Sequence, residues 1–219
     1  KLYKNLKYFY NKNINSHNYL NKKKFLNQEA IQISYDLQSG SYIKKIKKYK
    51  TIDKKVFQVF NKILDKNFKN IKSVLDFGSG LSDLYGYLKL NDINVDYTGI
   101  DIMPDFIKIA KERYGDEIRV LNTNILYFLE KFEWTYASGV FSIGFDEKEL
   151  IEHISHFLSI SDVGVCLNLL DKEHFIGEVQ VSFNKKELVK KLTNEFKDVV
   201  ITLIDDYSVD DFSLILVKK

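Results

Sequence analysis

Residues 73–83 read Ser-Val-Leu-Asp-Phe-Gly-Ser-Gly-Leu-Ser-Asp. An apolar pair, Val74-Leu75, runs into Asp76 and then into two glycines spaced by one, Gly78 and Gly80, before helical spacing begins at Leu81. That order is a strand, a tight turn and a helix start. Glycine lets backbone pass close beneath a ligand where a Cβ would collide, and the helix beyond it offers its free N–H groups to the same ligand. In form this is a nucleotide-binding turn; the plainer alternative is a glycine turn that binds nothing.

A dinucleotide site of the G-x-G-x-x-G kind needs a third small residue where this chain has Asp83. A carboxylate there would repel a diphosphate. S-adenosylmethionine joins an adenosine to a sulfonium and an amino acid with no phosphate, so an acidic turn suits it. Asp76 is placed either to face the methionine ammonium or to hold the turn through hydrogen bonds.

The continuation resembles the class I S-adenosylmethionine-dependent methyltransferases over roughly residues 55 to 219. VLDFGSGLSDLYGYL (74–88) looks like that family's first motif and VDYTGIDIMPDFIKIAKERY (95–114) like its second strand and helix. YASGVFS (136–142) resembles its fourth strand and DYSVDDFSLILVKK (206–219) its closing hairpin. Two departures stand out: Ser82 replaces the third glycine of the first motif, and Asn124 replaces the acid usual after the third strand.

The segment after residue 72 alternates short β-rich runs with helical ones, the pattern of a parallel sheet covered on both faces. Strands are expected at 73–77, 95–101, 117–121, 134–140, 162–169, 197–204 and 212–218, and helices at 81–91, 104–114, 124–131, 146–159 and 184–195. Only Asp205–Asp211 joins the last two strands, too short for the dozen or so residues of a parallel crossover, so they must pair antiparallel. The expected fold is therefore α/β: a doubly wound, mostly parallel seven-stranded sheet with a C-terminal antiparallel β-hairpin, the Rossmann-like methyltransferase arrangement. Residues 1–50 read as an N-terminal helical cap or arm, and 51–219 as the S-adenosylmethionine-binding domain, opened by a helix from Thr51-Ile52-Asp53 to about Phe68.

Charge is unevenly placed. Residues 1–72 carry 18 Lys against four acids, whereas 73–219 carry 15 basic and 26 acidic residues. A basic arm can bind nucleic acid, and Tyr42–Lys50 (YIKKIKKYK) mixes aromatic and basic residues. Helical spacing, however, places Ile43 and Ile46 on one apolar stripe with Lys outside, so packing is the more economical account. Cys166 is the one cysteine and lies in an apolar run, which excludes a disulfide framework and a cysteine metal site and favours a reducing, cytoplasmic setting. No apolar run approaches the roughly 18 residues of a membrane span. The start, Lys1-Leu2-Tyr3-Lys4, lacks the apolar core of a signal peptide.

In an open α/β sheet the ligand lies beyond the carboxyl ends of the strands. Asp101 ends the second strand and can accept from both ribose hydroxyls, or merely cap the helix that starts at Pro104; Ile102 and Met103 come next and can line the adenine. Asn124 can accept from the adenine amine and donate to a ring nitrogen, or cap the helix expected after it, and Ile125 is its neighbour. Ser79, between the glycines, belongs to the cofactor set, as do Ser138 and Gly139 at the end of the fourth strand, where the transferred methyl should emerge. Lys55 matches the basic residue that the family places before its first helix, where it can meet the cofactor carboxylate.

His174, after the fifth strand, is the best-placed histidine for a general base, with Asp171, Tyr207 and Asp146 on the same rim; His17, His153 and His156 are not. The Pro-Pro turn by which methyltransferases of exocyclic base amines resemble one another is missing, since Pro104 is the only proline. No metal is expected. The sequence reads as methyl transfer from S-adenosylmethionine to a small-molecule acceptor with an O or N nucleophile, such as a metabolite or surface-glycan precursor. The alternatives are an RNA methyltransferase using the basic arm, a nicotinamide-dependent oxidoreductase, and a non-catalytic cofactor-binding protein.

Overall fold

The computed structural model describes residues 71–123, 128–142, 144–173 and 181–219. The cap at 1–50, the helix at 51–68 and the site candidates Lys55, Asn124, Ile125 and His174 lie outside these residues.

The chain alternates β1 (Ser73–Phe77), α1 (Asp83–Leu90), β2 (Asp96–Asp101), α2 (Pro104–Tyr114), β3 (Arg119–Asn122), β4 (Phe132–Ser138), α3 (Glu147–Ile160), β5 (Ser161–Leu170) and α4 (Lys185–Glu195), and ends in β6 (Val199–Ile204) and β7 (Asp211–Lys218). The seven strands lie in the order β3-β2-β1-β4-β5-β7-β6. β1 to β5 pair parallel, while β7 runs antiparallel between β5 and β6. The expected sheet and terminal hairpin are therefore both present.

Boundaries moved where end chemistry overrode periodicity. α1 starts at Asp83 rather than residue 81, because Ser82 takes the left-handed conformation (φ 57°). Gly115–Glu117 form a short 3-10 turn, so β3 starts at Arg119 rather than 117. Phe128–Lys131, the described part of the helix expected at 124–131, has no regular structure, and β4 starts earlier, at Phe132. Asp146 caps α3 in a reciprocal capping box with Glu149, which satisfies two of the helix's free N–H groups.

The two faces of the sheet differ in kind. α3 and α4 lay Leu150, Ile154, Phe157, Leu188 and Leu192 against Leu75, Ile100, Val165, Leu167, Phe212 and Leu214, a largely apolar layer. There Phe77, Phe141, Phe145 and Phe157 surround His153, whose ring centroid stands 5.1–6.2 Å from theirs. Burial holds His153 below the usual imidazole range, so it acts as a packing group. The opposite face pairs α1 and α2, through Leu84, Leu88, Ile107 and Ala110, with Val74, Tyr97, Trp134, Tyr136 and Cys166. Acids are buried on this face.

The hairpin is pressed tightly onto the parallel part. A Cβ on Gly164 would lie 2.4 Å from the Leu216 carbonyl oxygen and 2.9 Å from the Trp134 ring. Neither backbone nor a buried indole can easily retreat, so Gly164→Ala is expected to cost about 1–3 kcal/mol. Urea unfolding should show the loss as a lower midpoint at unchanged slope.

Candidate cofactor site

The strand order reverses between β1 and β4, and there the carboxyl ends of neighbouring strands open a crevice. The turn after β1 sits in that opening. Gly78 has φ 69° and Gly80 φ 53°, values that an L side chain rarely adopts. A Cβ on Gly78 would stand 2.3 Å from Val140 Cγ2, while among the described residues Gly80 has nothing within 4 Å of that position. One glycine is needed for packing and the other leaves bare backbone facing open space. Gly78 and Ser79 both donate their N–H to the Ile100 carbonyl, which ties the turn to β2.

Asp101, at the end of β2, is buried, and each of its oxygens is already engaged once. Oδ2 accepts from Gly80 N–H at 2.9 Å and Oδ1 from Met103 N–H at 2.7 Å. A carboxylate offers about four acceptor positions, so lone pairs remain for ribose hydroxyls. Asp101 does not cap α2, whose N-cap is Met103 with no side-chain cap; it holds the Met103 N–H just before the helix and braces the glycine turn. Burial pushes its carboxyl above the usual range, against the pull of the backbone N–H groups that it accepts. Met103 is buried with Leu81 and Phe106 beneath the turn, and Ile102 packs beside them.

Asp76 is the more heavily perturbed group. It is 5 % exposed, it accepts from Tyr97 Oη at 2.7 Å, and burial pushes its carboxyl up to about 7 against that hydrogen bond. Ser79 is also buried, and among the described residues its Oγ has no hydrogen-bond partner.

Three contributors were not read from the sequence. Tyr97 occupies a strand position that periodicity marks only as buried. Arg113, at the end of α2, donates to the Leu81 carbonyl at 3.0 Å and to Asp83 Oδ1 at 2.8 Å, stapling the turn where Ser82 is left-handed. That pair also neutralises Asp83, so repulsion of a diphosphate falls to Asp76 and Asp101. Asn122 donates from Nδ2 to the Asp101 carbonyl at 2.9 Å. A polar residue at the end of a buried strand was the available signal for Asn122; Arg113 carried none.

The remaining candidates lie along the same edge of the sheet. Ser138 ends β4 and Gly139 follows it with φ 69° and no described atom within 4 Å of where its Cβ would stand. Asp171, just past β5, is 2 % exposed and ion-paired to Lys185 at 3.0 Å; Lys185 also binds Asp205 at 2.8 Å. Tyr207 accepts from Asn168 Nδ2 at 2.7 Å and shares a 2.7 Å hydrogen bond with Ser213, and burial pushes its phenol up to about 12. The sheet thus brings Asp76, Gly78, Ser79, Gly80, Asp101, Ile102 and Met103 together. Asp171 and Tyr207 stand apart, beyond β5 and in the hairpin.

Bare backbone over Gly80, an orphan Ser79 hydroxyl and two buried carboxylates fit a nucleoside with a cationic tail better than one with phosphates. A shallow groove of about 490 Å³ lined by Pro104, Ile107, Lys108, Lys111, Glu112 and Asn122 includes neither the turn nor Asp101. Among the described residues no cluster of His, Cys, Asp or Glu could hold a metal, and no helix is long and apolar enough to cross a membrane.

Burying Asp76 has a stability consequence with a definite sign. Its carboxyl is held up to about 7 in the folded chain against an ordinary 3.8, so the folded state binds more protons than the unfolded state between those values. Stability contributed by this group is greatest below pH 4, falls as pH rises toward 7 and is flat above. Asp76→Asn removes the penalty. Its melting temperature should exceed that of the parent by several degrees at pH 8, less at pH 5 and not at all below pH 4.

No protein-family profile and no curated protein sequence matches the chain. Solved structures do. Magnesium protoporphyrin IX methyltransferase (ChlM) from Synechocystis PCC 6803 with bound S-adenosylhomocysteine superposes with a TM-score of 0.69 at 15% identity, covering 88% of this chain and 100% of that one. The plantazolicin methyltransferase BpumL with S-adenosylhomocysteine gives 0.67 at 14% identity, covering 93% and 98%. An S-adenosylmethionine-dependent methyltransferase from Clostridium acetobutylicum gives 0.62 at 12% identity, covering 84% and 98%. With its glycine turn, its strand order and its terminal hairpin, the chain has the fold of the S-adenosylmethionine-dependent methyltransferases.

Proposed function

We propose that the protein is an S-adenosylmethionine-dependent methyltransferase acting on a small-molecule acceptor. The observation that carries this reading is the pair of buried carboxylates, Asp76 and Asp101, beneath and beside a positive-φ glycine turn at the point where the strand order reverses. Carboxylates kept out of water at such cost cluster at functional sites. Two of the three solved structures named above hold S-adenosylhomocysteine, which carries the same adenosine and ammonium.

Within this reading Asp101 accepts from the ribose hydroxyls and Asp76 faces the ammonium. Gly78, Ser79 and Gly80 let the ligand approach the backbone, Ile102, Met103, Asn124 and Ile125 serve the adenine, and Lys55 the carboxylate. When bound, the cofactor's sulfonium supplies an electrophilic methyl group. Ser138 and Gly139 leave the end of β4 open for the acceptor, whose nucleophile needs chiefly in-line placement. Tyr207, with its phenol pushed up to about 12, keeps its proton at neutral pH and so serves as a donor rather than a base. Asp171 is engaged by Lys185, so His174 is the residue assigned to proton removal in this reading.

The small acceptor is supported by the solved structures whose names specify magnesium protoporphyrin IX and plantazolicin as substrates. A metabolite or surface-glycan precursor fits equally, in a cytoplasmic setting. The RNA reading rests on the lysines of residues 42–50, outside the described residues; a gel shift by the parent that is lost when Lys44, Lys45, Lys47, Lys48 and Lys50 become Gln would favour it.

Calorimetry with S-adenosylhomocysteine should give micromolar affinity, and Asp101→Ala should weaken it by about 1–2 kcal/mol, the value of a charged hydrogen bond. NADH should not bind. Absence of S-adenosylhomocysteine binding by the intact protein would refute the reading.

A further inference from the structure

Asp76 and Tyr97 belong to neighbouring parallel strands. Asp76 registers with Gly99, and Tyr97 lies two residues earlier on the same face. The phenol can reach the carboxylate only because position 99 has no side chain: a Cβ there would lie 3.0 Å from Tyr97 Oη and 2.8 Å from Ser79 Oγ. Tyr97 is itself 3 % exposed, and burial holds its phenol far above the usual range, so it donates at every working pH.

We propose that Tyr97 is a positioning residue for the cofactor: its phenol, passing over Gly99, holds the Asp76 carboxylate beneath the glycine turn, so that capture of the ammonium is coupled to loss of a proton from Asp76. This rests on the cofactor reading given above. The groups around Asp76 agree with it. Asp101 of β2 and Asp83 of α1 both disfavour its negative charge, and Arg113 of α2 is spent on Asp83. Tyr136 of β4, which registers directly beside Asp76, is buried and neutral, and Ser79 and Ser82 bring only hydroxyls. Among the described residues Tyr97 is thus the side chain that favours the ionised form in the free protein, and none of them sets a cation against it. A bound ammonium would supply one. On binding, the proton leaves the Asp76 carboxyl for the buffer, and the hydrogen bond from Tyr97 remains.

The test begins with the protein alone. Carboxyl carbon NMR on Asp-labelled protein should show Asp76 titrating near 7, and Tyr97→Phe should move it upward, since the lost hydrogen bond favoured the charged form. Calorimetry of S-adenosylhomocysteine at pH 7, in two buffers of different ionisation heat, should show release of about half a proton per binding event. That release should vanish in Asp76→Asn. Affinity should rise about tenfold per pH unit below the Asp76 midpoint and then level off. In Tyr97→Phe the same curve should be displaced to higher pH and reach the parent plateau.

Affinity lost equally at every pH in Tyr97→Phe would show mere packing and overturn the proposal. So would parent binding without proton release, a measurement that needs no variant to fold. If S-adenosylhomocysteine fails to bind at all, the cofactor reading falls. The carboxyl titration of the free protein still judges the Tyr97–Asp76 hold, and an unmoved Asp76 in Tyr97→Phe overturns that part.

Discussion

The turn after β1 runs so close to the end of β4 that position 78 cannot carry a side chain, with Val140 Cγ2 only 2.3 Å from where a Cβ would stand. That approach fixes φ 69° at Gly78 and brings the turn into the opening between the two strands where the order reverses. Neighbouring residues compensate for the tight path. The third position of the turn is Ser82, left-handed at φ 57°, a conformation that costs a non-glycine residue roughly 1–2 kcal/mol. Arg113 meets that cost by binding the Leu81 carbonyl and Asp83 on either side of it. The turn is held by packing below, by the Ile100 carbonyl that accepts from Gly78 and Ser79 N–H, and by a guanidinium behind.

Stability and site chemistry are assigned to opposite faces of one sheet. The face under α3 and α4 is largely apolar and closes around an aromatic cluster in which even a histidine is a packing group. The face under α1 and α2 contains Asp76 and Asp101, each held above its ordinary range by burial. A buried polar pair need not be costly: Thr135 and Ser161 satisfy each other at 2.7 Å in the core. From the described residues the acids receive donors without receiving a cation. Two carboxylates solvated by N–H and O–H groups alone form a site prepared for positive charge.

How much could be read in advance depended on the range of the physics involved. The sheet, its mostly parallel sense and its terminal hairpin were legible because they depend on local alternation and on the short link before residue 211. The glycine turn, Asp76 and Asp101 were legible for the same reason, each lying at a strand end. Ser82 stood out as a departure from pattern, but its left-handed conformation, which delays α1 by two residues, was not foreseen. Tyr97 and Arg113 were missed because their roles exist only across the sheet or between helices. Tyr97 matters through the empty space over Gly99, and Arg113 through a turn 32 residues earlier. Sequence spacing along one element cannot express either relation.

The carboxyl edge of the sheet shows how one architecture serves two tasks. Asp101 registers with Asn122, Ser138 with Asn168, and Asn168 with Ser213, so a row of polar residues crosses five strands on the face that buries Asp76. On the β1 and β2 side this row meets a strained glycine turn with buried acids, a surface suited to one ligand. On the β5 and β7 side it meets hydroxyls and ion pairs: Tyr207 locked to Asn168 and Ser213, and Lys185 joining Asp171 to Asp205 of the hairpin. The antiparallel hairpin is what makes the second half possible. A parallel crossover would have left β5 without Ser213 beside Asn168 and would have carried residues 205–211 away from the edge. The first half is built from charge that awaits a partner, and the second from charge already paired, so the first is specified by chemistry and the second by shape.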